Sequence, residues 1–282
     1  MFAEWKVVTS IFLTTIAGSL FAIKYLSTSM PPVTSPDVET VVECPICPKN
    51  DRRFLYERND LSRKMNKMSQ ERAKKSCEIL TQYSGRIKPV HHSGGWCERH
   101  VSYGHQTDNQ LAQALANFLI GKKIGSFGDG PGHYKNIIDK SSLVQTYDAY
   151  DGGPYYEEMT KGRVKYLDLS IPQYGLPLYD WVVSLEVAEH IPAEYESVYL
   201  DNLIRHAKEG IILSWAVPGQ DGHYHINNRA FTYVVKTLDS LGFVYSESET
   251  TILRQSATLP WLRANTSVFR RKAERPVNMD DL

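Results

Sequence analysis

The sequence has no excess of charge of either sign. Its 282 residues include 32 Lys and Arg and 32 Asp and Glu, so the formal net charge at pH 7 is zero. A surface that binds nucleic acid depends on concentrated positive charge to neutralise phosphates. The balance gives no support for a nucleic-acid partner, and we predict none. A chain of this length holds one large domain with a stem or tail.

Cysteine is also scarce. The chain has four, Cys44, Cys47, Cys77 and Cys97. Cys44 and Cys47 have the spacing of half a zinc site, but a structural zinc needs further Cys or His ligands at matching spacing. There is no second close cysteine pair, and His91 and His92 lie far away along the chain. We therefore expect a disulfide or free thiols at Cys44 and Cys47, and we assign no residue to a metal site.

Charged residues are missing from one stretch near the start, residues 7–23, which lies between Lys6 and Lys24. Its length is at the lower limit for crossing a bilayer. Three interpretations are open: a signal anchor, a signal peptide cleaved near the small residues Ala17 and Ser19, and a buried helix. We predict an anchor within residues 1–30, hence a single-pass membrane protein of the secretory pathway. The balanced flanking charges do not determine which side of the membrane the chain faces.

Residues 31–90 lack the dense apolar pattern of a folded core. Five prolines fall between residues 31 and 48, which is typical of a linker. A charged run follows from residue 51 to about residue 83, with Leu and Met sparsely spaced. This pattern predicts a solvated stem helix with a thin apolar stripe. An interaction protein that acts through this stem is one alternative for the function of the chain.

A different pattern begins near residue 91. Thr107 with Gln110 predicts a helix start, and apolar residues then recur at helical spacing up to Gly121. Short apolar strands alternate with helices beyond this point, one of them capped by Asn227 or Asn228. Continuous apolar strands indicate a mainly parallel sheet with helices on both faces. We assign residues 91–272 to this domain and residues 273–282 to a polar tail. After the strand that leads into residue 128, further strands are expected at residues 143–150, 164–167, 181–185, 211–215, 243–246 and 266–270.

Glycines stand at alternate positions in the loop Gly128-Asp-Gly-Pro-Gly132, between the first strand and a helix at residues 134–140. Glycine permits positive φ and lets a ligand approach the backbone closely, because it has no Cβ. A helix that starts after such a loop directs N–H groups towards a polar ligand. The loop therefore predicts a site for a nucleotide-like cofactor.

Three acidic signals follow this loop in order. Asp151 ends the second strand, Asp168 follows the third, and Asp180-Trp-Val-Val-Ser-Leu-Glu-Val-Ala-Glu-His190 covers the fourth. Together with the glycine loop they resemble the class I S-adenosylmethionine-dependent methyltransferases, over residues 122 to about 270. The resemblance implies a Rossmann-like α/β fold, with a seven-stranded, mainly parallel sheet whose last hairpin is antiparallel. A dinucleotide-binding loop fits less well, because it requires Gly-x-Gly-x-x-Gly and the third glycine comes one residue early.

The resemblance also implies a cofactor, S-adenosylmethionine, and the residues that hold it. Asp151 would bind the ribose hydroxyls, with Asp148 as the competing candidate. Asp168 would receive the adenine amino group, Leu169 would pack on the adenine, and Glu186 would lie at the edge of the crevice. The loop residues Gly128, Gly130 and Gly132 would approach the methionine part.

One position departs from the pattern of this family. Ser126 stands where an acid two residues before the first glycine contacts the amino group of the cofactor. Asp129, inside the loop, is the candidate to replace that charge. If nothing replaces it, a cofactor-binding domain without catalytic activity becomes the alternative.

Methyl transfer needs chiefly an aligned acceptor, and it needs a base when the acceptor arrives as a hydroxyl. The candidate bases are Glu186, His190, His223 and His225. Residues 214–227 are polar, aromatic and rich in glycine, as expected of a loop that binds an acceptor, which we take to be a small molecule or a glycan. Trp96 is a candidate lid residue. Asn265-Thr-Ser267 matches a glycosylation sequon.

Overall fold

The structure, a computed structural model, describes residues 52–83, 89–99 and 105–273. The predicted anchor, the proline-rich linker, Cys44 and Cys47 lie outside these residues, as does the polar tail after residue 273. Within the described ranges, no helix is both long enough and apolar enough to cross a membrane. The anchor therefore stays a prediction from the sequence.

Seven strands form one sheet. They are β1 Lys123–Phe127, β2 Thr146–Asp151, β3 Val164–Tyr166, β4 Tyr179–Ser184, β5 Ala207–Leu213, β6 Phe243–Tyr245 and β7 Ser267–Arg271. Their order in the sheet is β3-β2-β1-β4-β5-β7-β6. The first five strands run parallel, whereas β7 is antiparallel to both β5 and β6. The predicted α/β fold with an antiparallel last hairpin is confirmed.

The described residues also form eight α-helices and two short 3₁₀ turns. The helices are α1 Arg52–Tyr83, α2 Asn109–Phe118, α3 His133–Ser141, α4 Tyr156–Met159, α5 Glu196–His206, α6 Phe231–Ser240, α7 Glu247–Ser256 and α8 Pro260–Asn265. The 3₁₀ turns are Ala188–His190 and Ala193–Tyr195. Helices α7 and α8 lie between β6 and β7, where the sequence pattern predicted no element.

Helices cover both faces of the sheet, as predicted. Successive residues of a strand point to opposite faces, and β4 shows this directly. Val182 belongs to a buried cluster that includes Leu203 of α5. Val183 belongs to a second cluster, with Leu115 of α2 and Leu253 of α7. The sheet therefore separates two apolar cores, and polar loops connect the elements at the ends of its strands.

Helix α1 packs against this domain, in contrast to the solvated stem that its charge pattern predicted. Ser62, Ala73 and Cys77 are buried. A disulfide joins Cys77 to Cys97, which stands just before α2 in the chain. The charged residues of α1 are on its exposed face, as its composition predicted. The buried face that packs on the domain was not predicted.

Two predicted helix starts are wrong. In both cases, side chains near the start of the helix bind residues that are distant in sequence. Asp108, rather than Thr107, caps α2: its Oδ1 accepts the N–H of Leu111 at 3.0 Å. The other oxygen of Asp108 accepts the backbone N–H groups of Thr258 and Leu259 at 2.6 and 2.7 Å. One buried carboxylate thus accepts three N–H groups from a helix end and a distant loop, whereas a hydroxyl oxygen has only two lone pairs.

Helix α6 begins at Phe231 after Ala230, not at Asn227 or Asn228. Asn227 instead donates to Glu196 Oε2 at 3.1 Å. Asn228 donates to the carbonyls of Val217 and Gln220 at 3.0 and 2.9 Å. The two amides hold the loop before α6 in place, and this loop forms part of the site described next.

Candidate functional site

A cavity of about 480 Å³ opens at the carboxyl ends of β1, β2, β3 and β4. Ligands of open α/β sheets bind at this edge. Twelve residues were predicted to hold the cofactor or act as the catalytic base, and all of them except Gly132 line this cavity. They are Ser126, Gly128, Asp129, Gly130, Asp151, Asp168, Leu169, Glu186, His190, His223 and His225. The structure thus brings residues from five separate segments to one place.

Gly132 lies outside the cavity wall, unlike the other residues predicted for the cofactor. It has a φ of +84° and precedes α3, and a Cβ there would stand 2.8 Å from Val164 Cγ2. This glycine therefore lets α3 pack closely on β3. Gly128 does lie in the wall, with a φ of +97°, and a Cβ there would stand 2.1 Å from Val187 Cγ2. No side chain fits at Gly128 without moving the segment after β4.

Ser126 and Asp129 form a hydrogen-bonded pair beside this loop. Ser126 Oγ donates to Asp129 Oδ1 at 2.7 Å, and the Tyr147 hydroxyl donates to the same oxygen at 2.9 Å. Burial raises the pKa of Asp129 to about 7, although both hydrogen bonds favour its ionised form. The position that lacks the expected acid is thus in direct contact with an acid supplied by the loop.

Asp151 is held by two backbone groups at the end of β2. Its Oδ2 accepts the N–H of Gly130 and its Oδ1 accepts the N–H of Gly153, both at 2.7 Å. Burial raises its pKa to about 6, and these two N–H groups oppose the shift. The competing candidate, Asp148, lies outside the cavity wall and accepts a hydrogen bond from the Tyr179 hydroxyl at 3.0 Å. The structure therefore favours Asp151 over Asp148 as a ligand-binding acid.

Helix α1 reaches the cavity through Asp168. The Ser69 hydroxyl donates to Asp168 Oδ2, while the N–H and hydroxyl of Ser170 donate to Oδ1 at 2.9 and 2.6 Å. Asn66 Oδ1 accepts the backbone N–H of Asp168 at 3.0 Å. Sequence reasoning missed this contribution. The signal was the recurrence of Ser62, Asn66 and Ser69 at helical spacing within the charged run.

The opposite end of the cavity is lined by aromatic rings. The Trp96 ring lies 5.9 Å from the His190 ring and 5.1 Å from the His223 ring, and the His190 and His225 rings are 5.1 Å apart. Burial lowers the pKa of His190 to about 4, so this imidazole is neutral at pH 7. Trp96 stands next to disulfide-bonded Cys97, which anchors its backbone.

Two glutamates follow β4 at this end. Glu186 has a φ of +57°, which is unusual for a residue with a side chain. Its N–H donates to Ser214 Oγ at 2.7 Å, and that hydroxyl donates back to Glu186 Oε1 at 2.8 Å. Burial raises the pKa of both Glu186 and Glu189, and the nearby Glu186 carboxylate raises that of Glu189 further. Glu186 is therefore fixed in the wall, and Glu189 lies behind it.

Sequence reasoning also missed much of the aromatic wall. Four such residues line the cavity, Tyr134, Tyr147, Tyr156 and Trp261. The last comes from α8, an element for which no pattern was found. The asparagine of the sequon, Asn265, also belongs to α8. It is buried, and its Nδ2 donates to Gln220 Oε1 at 2.7 Å.

No protein-family model matches the chain, and no curated protein matches its sequence. Several solved structures match in fold. Magnesium protoporphyrin IX methyltransferase from Synechocystis PCC 6803, with bound SAM, is 17% identical with a TM-score of 0.42, over 58% of this chain and 79% of that one. The N-methyltransferase NodS from Bradyrhizobium japonicum WM9 is 12% identical with a TM-score of 0.44, over 58% and 94% of the two chains.

The plantazolicin methyltransferase BpumL, in complex with SAH, is 12% identical with a TM-score of 0.43, over 59% of this chain and 83% of that one. These are similarities of fold. The chemistry of the present chain has to be inferred from its own residues.

Proposed function

We propose that this chain is an S-adenosylmethionine-dependent methyltransferase. The observation that carries the proposal is the carboxylate of Asp151 in the cavity wall. Each of its oxygens accepts one backbone N–H, and an ionised carboxylate oxygen offers about two lone pairs. One acceptor position on each oxygen remains for a vicinal diol, and the two ribose hydroxyls of the cofactor supply such a diol.

The methionine part of the cofactor would lie at Gly128 and Asp129. Its α-amino group is a cation. The acid expected to meet this cation is replaced by Ser126, and the buried carboxylate of Asp129 is in direct contact with Ser126. A charge-assisted hydrogen bond to a buried carboxylate is stronger than one between neutral groups. The adenine would lie at the other side of the ribose, against Leu169, with its amino group at the lone pair of Asp168 Oδ2 that Ser69 and Ser170 leave open.

The acceptor would occupy the aromatic end of the cavity. We propose a small molecule or a glycan, because aromatic rings line this end of the cavity and no Lys or Arg is among the described residues of its wall. The chemical step needs the acceptor atom in line with the methyl group, and the rigid wall supplies this alignment. For a hydroxyl acceptor, Glu186, His190, His223 and His225 are the proposed proton acceptors.

Calorimetric titration of the full chain with S-adenosylmethionine tests the proposal. We expect Asp151→Asn to weaken binding by about tenfold or more, because it removes a charged partner of the ribose hydroxyls. Asp148→Asn is the matched control on the same strand and should leave the affinity within about twofold of the wild type. Equal affinities of the two variants would contradict the assignment of Asp151.

A second experiment tests whether the bound cofactor reacts. It measures methyl transfer to panels of small molecules, glycans and proteins. Methylation of one class identifies the acceptor. Cofactor binding without turnover in any panel supports the alternative of a catalytically inactive domain. Absence of cofactor binding supports the alternative of an interaction protein that acts through α1.

We further propose that residues 7–23 anchor the chain in a membrane of the secretory pathway. The disulfide between Cys77 and Cys97 supports this placement, because disulfides persist in oxidising compartments and are rare in the cytosol. Protease protection of microsomes, combined with mass spectrometry of the bound ligand, tests it. Digestion of the domain in intact microsomes would place it on the cytosolic side of the membrane, where the disulfide gives the proposal no support.

A further inference from the structure

Three potential metal ligands meet behind the aromatic end of the cavity. Glu189, His190 and His225 each offer one ligand atom, and these atoms lie within 4.8 Å of one another. Glu189 and His190 belong to the 3₁₀ turn after β4, whereas His225 belongs to the loop between β5 and α6. The cluster therefore exists only because the two segments fold together.

Each of the three side chains has an atom with an uncommitted lone pair. Glu189 is fully buried, and within the described residues neither of its carboxylate oxygens accepts a hydrogen bond of normal geometry. His225 Nδ1 is buried and likewise has no partner among the described residues. His190 Nδ1 lies 3.1 Å from the Tyr224 carbonyl oxygen, which can only accept. The proton of His190 is thus on Nδ1, and its Nε2 keeps a lone pair.

An unpaired, buried carboxylate is costly. Burying a polar group without a partner lowers the stability of the folded state even when the group is neutral, and lowers it more when the group is an ion. Folded proteins satisfy nearly all such groups, so each exception calls for an explanation. The backbone N–H groups of Glu189 and Ala216 stabilise its carboxylate only in part. A cation between the three side chains would satisfy Glu189 and His225 together.

We propose that Glu189, His190 and His225 bind a divalent transition-metal ion, of which Zn²⁺ is the best match. Two imidazoles and one carboxylate are a known donor set of catalytic zinc, in which three protein ligands leave a fourth position open. Nitrogen ligands favour Zn²⁺ over Mg²⁺, which prefers oxygen. With bonds of about 2.0–2.1 Å, tetrahedral ligand atoms are about 3.3 Å apart, so the ligand atoms would have to approach one another by at most about 1.5 Å.

The surroundings of the cluster hold its ligands in position. The Tyr224 carbonyl fixes the orientation of the His190 ring, as outer partners of metal-binding histidines do. The Glu189 carbonyl accepts the N–H groups of Ile226 and Asn227, both at 3.0 Å. These two bonds join the loop that carries His225 to the turn that carries the other two ligands.

The consequence for catalysis rests on the proposed function. His190 and His225 line the cavity, so an ion held by them and Glu189 would lie at the wall of the proposed acceptor site. A hydroxyl bound there would lose its proton more readily, with His223 as the remaining imidazole to receive it. The acceptor oxygen would then form a bond to the methyl carbon. The bond from that carbon to sulfur would break, its electron pair would stay on sulfur, and the neutral thioether would leave.

Zinc titration of the full chain, stripped with a chelator and followed by calorimetry, tests the site. Cys44→Ser and Cys47→Ser should be present throughout, so that these thiols cannot bind the probe. We expect one Zn²⁺ per chain, binding at least about tenfold weaker in Glu189→Gln and in His225→Gln, and much weaker binding of Mg²⁺. His92→Gln is the matched control, because His92 is exposed and lies outside the cluster. It should bind zinc as the parent does.

Thermal unfolding gives a second readout that does not depend on activity. Zinc should raise the Tm of the parent and not that of Glu189→Gln, since a ligand stabilises only the state that binds it. In chelator, Glu189→Gln should be at least as stable as the parent, which excludes misfolding as the cause of lost binding. Absence of zinc binding, or equal binding by the parent and Glu189→Gln, would overturn the proposal. The zinc-free protein should still bind S-adenosylmethionine, so failure of the metal site leaves the proposed cofactor site standing.

Discussion

Ser126 Oγ donates a hydrogen bond to Asp129 Oδ1 across 2.7 Å, inside the wall of the cavity. The resemblance seen in the sequence leads us to expect an acid at the position of Ser126. The contact brings a carboxylate to that position from three residues further along the chain. The loss of the expected acid is therefore compatible with a working cofactor site, and the pair provides the most direct test of it.

Asp129→Ala should weaken S-adenosylmethionine binding by at least about tenfold, because it removes the charge proposed to meet the ammonium group. Ser126→Ala should have a smaller effect, about threefold, since Asp129 keeps its bond from Tyr147. Asp139→Ala is the control, as Asp139 is half-exposed and paired with Lys135 on α3. Calorimetry on the three variants measures this order. An unchanged affinity of Asp129→Ala would show that Asp129 does not replace the missing acid.

The affinity for S-adenosylmethionine should rise with pH. Asp129, with a pKa of about 7, is mostly protonated at pH 6 and mostly ionised at pH 8. Only the ionised form attracts the ammonium group, so binding should strengthen by about tenfold between these pH values. Titrations at pH 6, 7 and 8 measure the slope, and Asp129→Asn should flatten it. A slope that persists in Asp129→Asn would assign the titration to another group.

The ligand-free protein should lose stability as pH rises from 4 to 7. The pKa of Asp129 is near 3.8 in the unfolded chain and about 7 in the folded one, so the folded state binds more protons between these values. Its free energy of unfolding should fall by up to about 1.4 kcal/mol per pH unit, and Asp151 acts in the same direction up to its pKa of about 6. Denaturant unfolding across this range measures the trend. The decline should be shallower in Asp129→Asn, and an equal decline would contradict the burial of this charge.

Ser69→Ala should weaken cofactor binding several-fold, because the Ser69 hydroxyl helps to hold the Asp168 carboxylate in the cavity wall. Ser62→Ala is the matched control on the same helix. Ser62 accepts the N–H of Tyr174 at 2.9 Å and does not contact Asp168, so its removal should affect stability but not affinity. Calorimetry and thermal unfolding separate the two effects. Equal loss of affinity in both variants would indicate a general loosening of α1.

Reduction of the Cys77–Cys97 disulfide should destabilise the domain by about 3 kcal/mol, since it frees a loop with a sequence separation of 20 residues. The Cys97→Ser variant should show the same lower Tm and should no longer respond to a reductant. Thermal unfolding with and without the reductant measures both. A reductant effect that remains in Cys97→Ser would have to come from Cys44 and Cys47.

Much of the site could be predicted because its signals are local. Gly128 and Asp151 are recognisable from their place after apolar strands, and the carboxyl ends of parallel strands converge on one edge. The fold followed from the same alternation of strands and helices. Gly132 shows the limit of this reasoning, since a glycine that permits close helix packing has the same local appearance as one that contacts a ligand.

The seven strands, the glycine loop and the acids at the strand ends could be predicted from the amino-acid sequence alone, because backbone preferences and apolar periodicity act over a few residues. Three features became visible only in the folded chain: Asp108 caps α2, Cys77 pairs with Cys97, and Ser69 of α1 donates to Asp168. The cluster of Glu189, His190 and His225 belongs to the same group. Each of these features joins segments that are distant in sequence, and such contacts depend on how the elements pack rather than on the residues beside them.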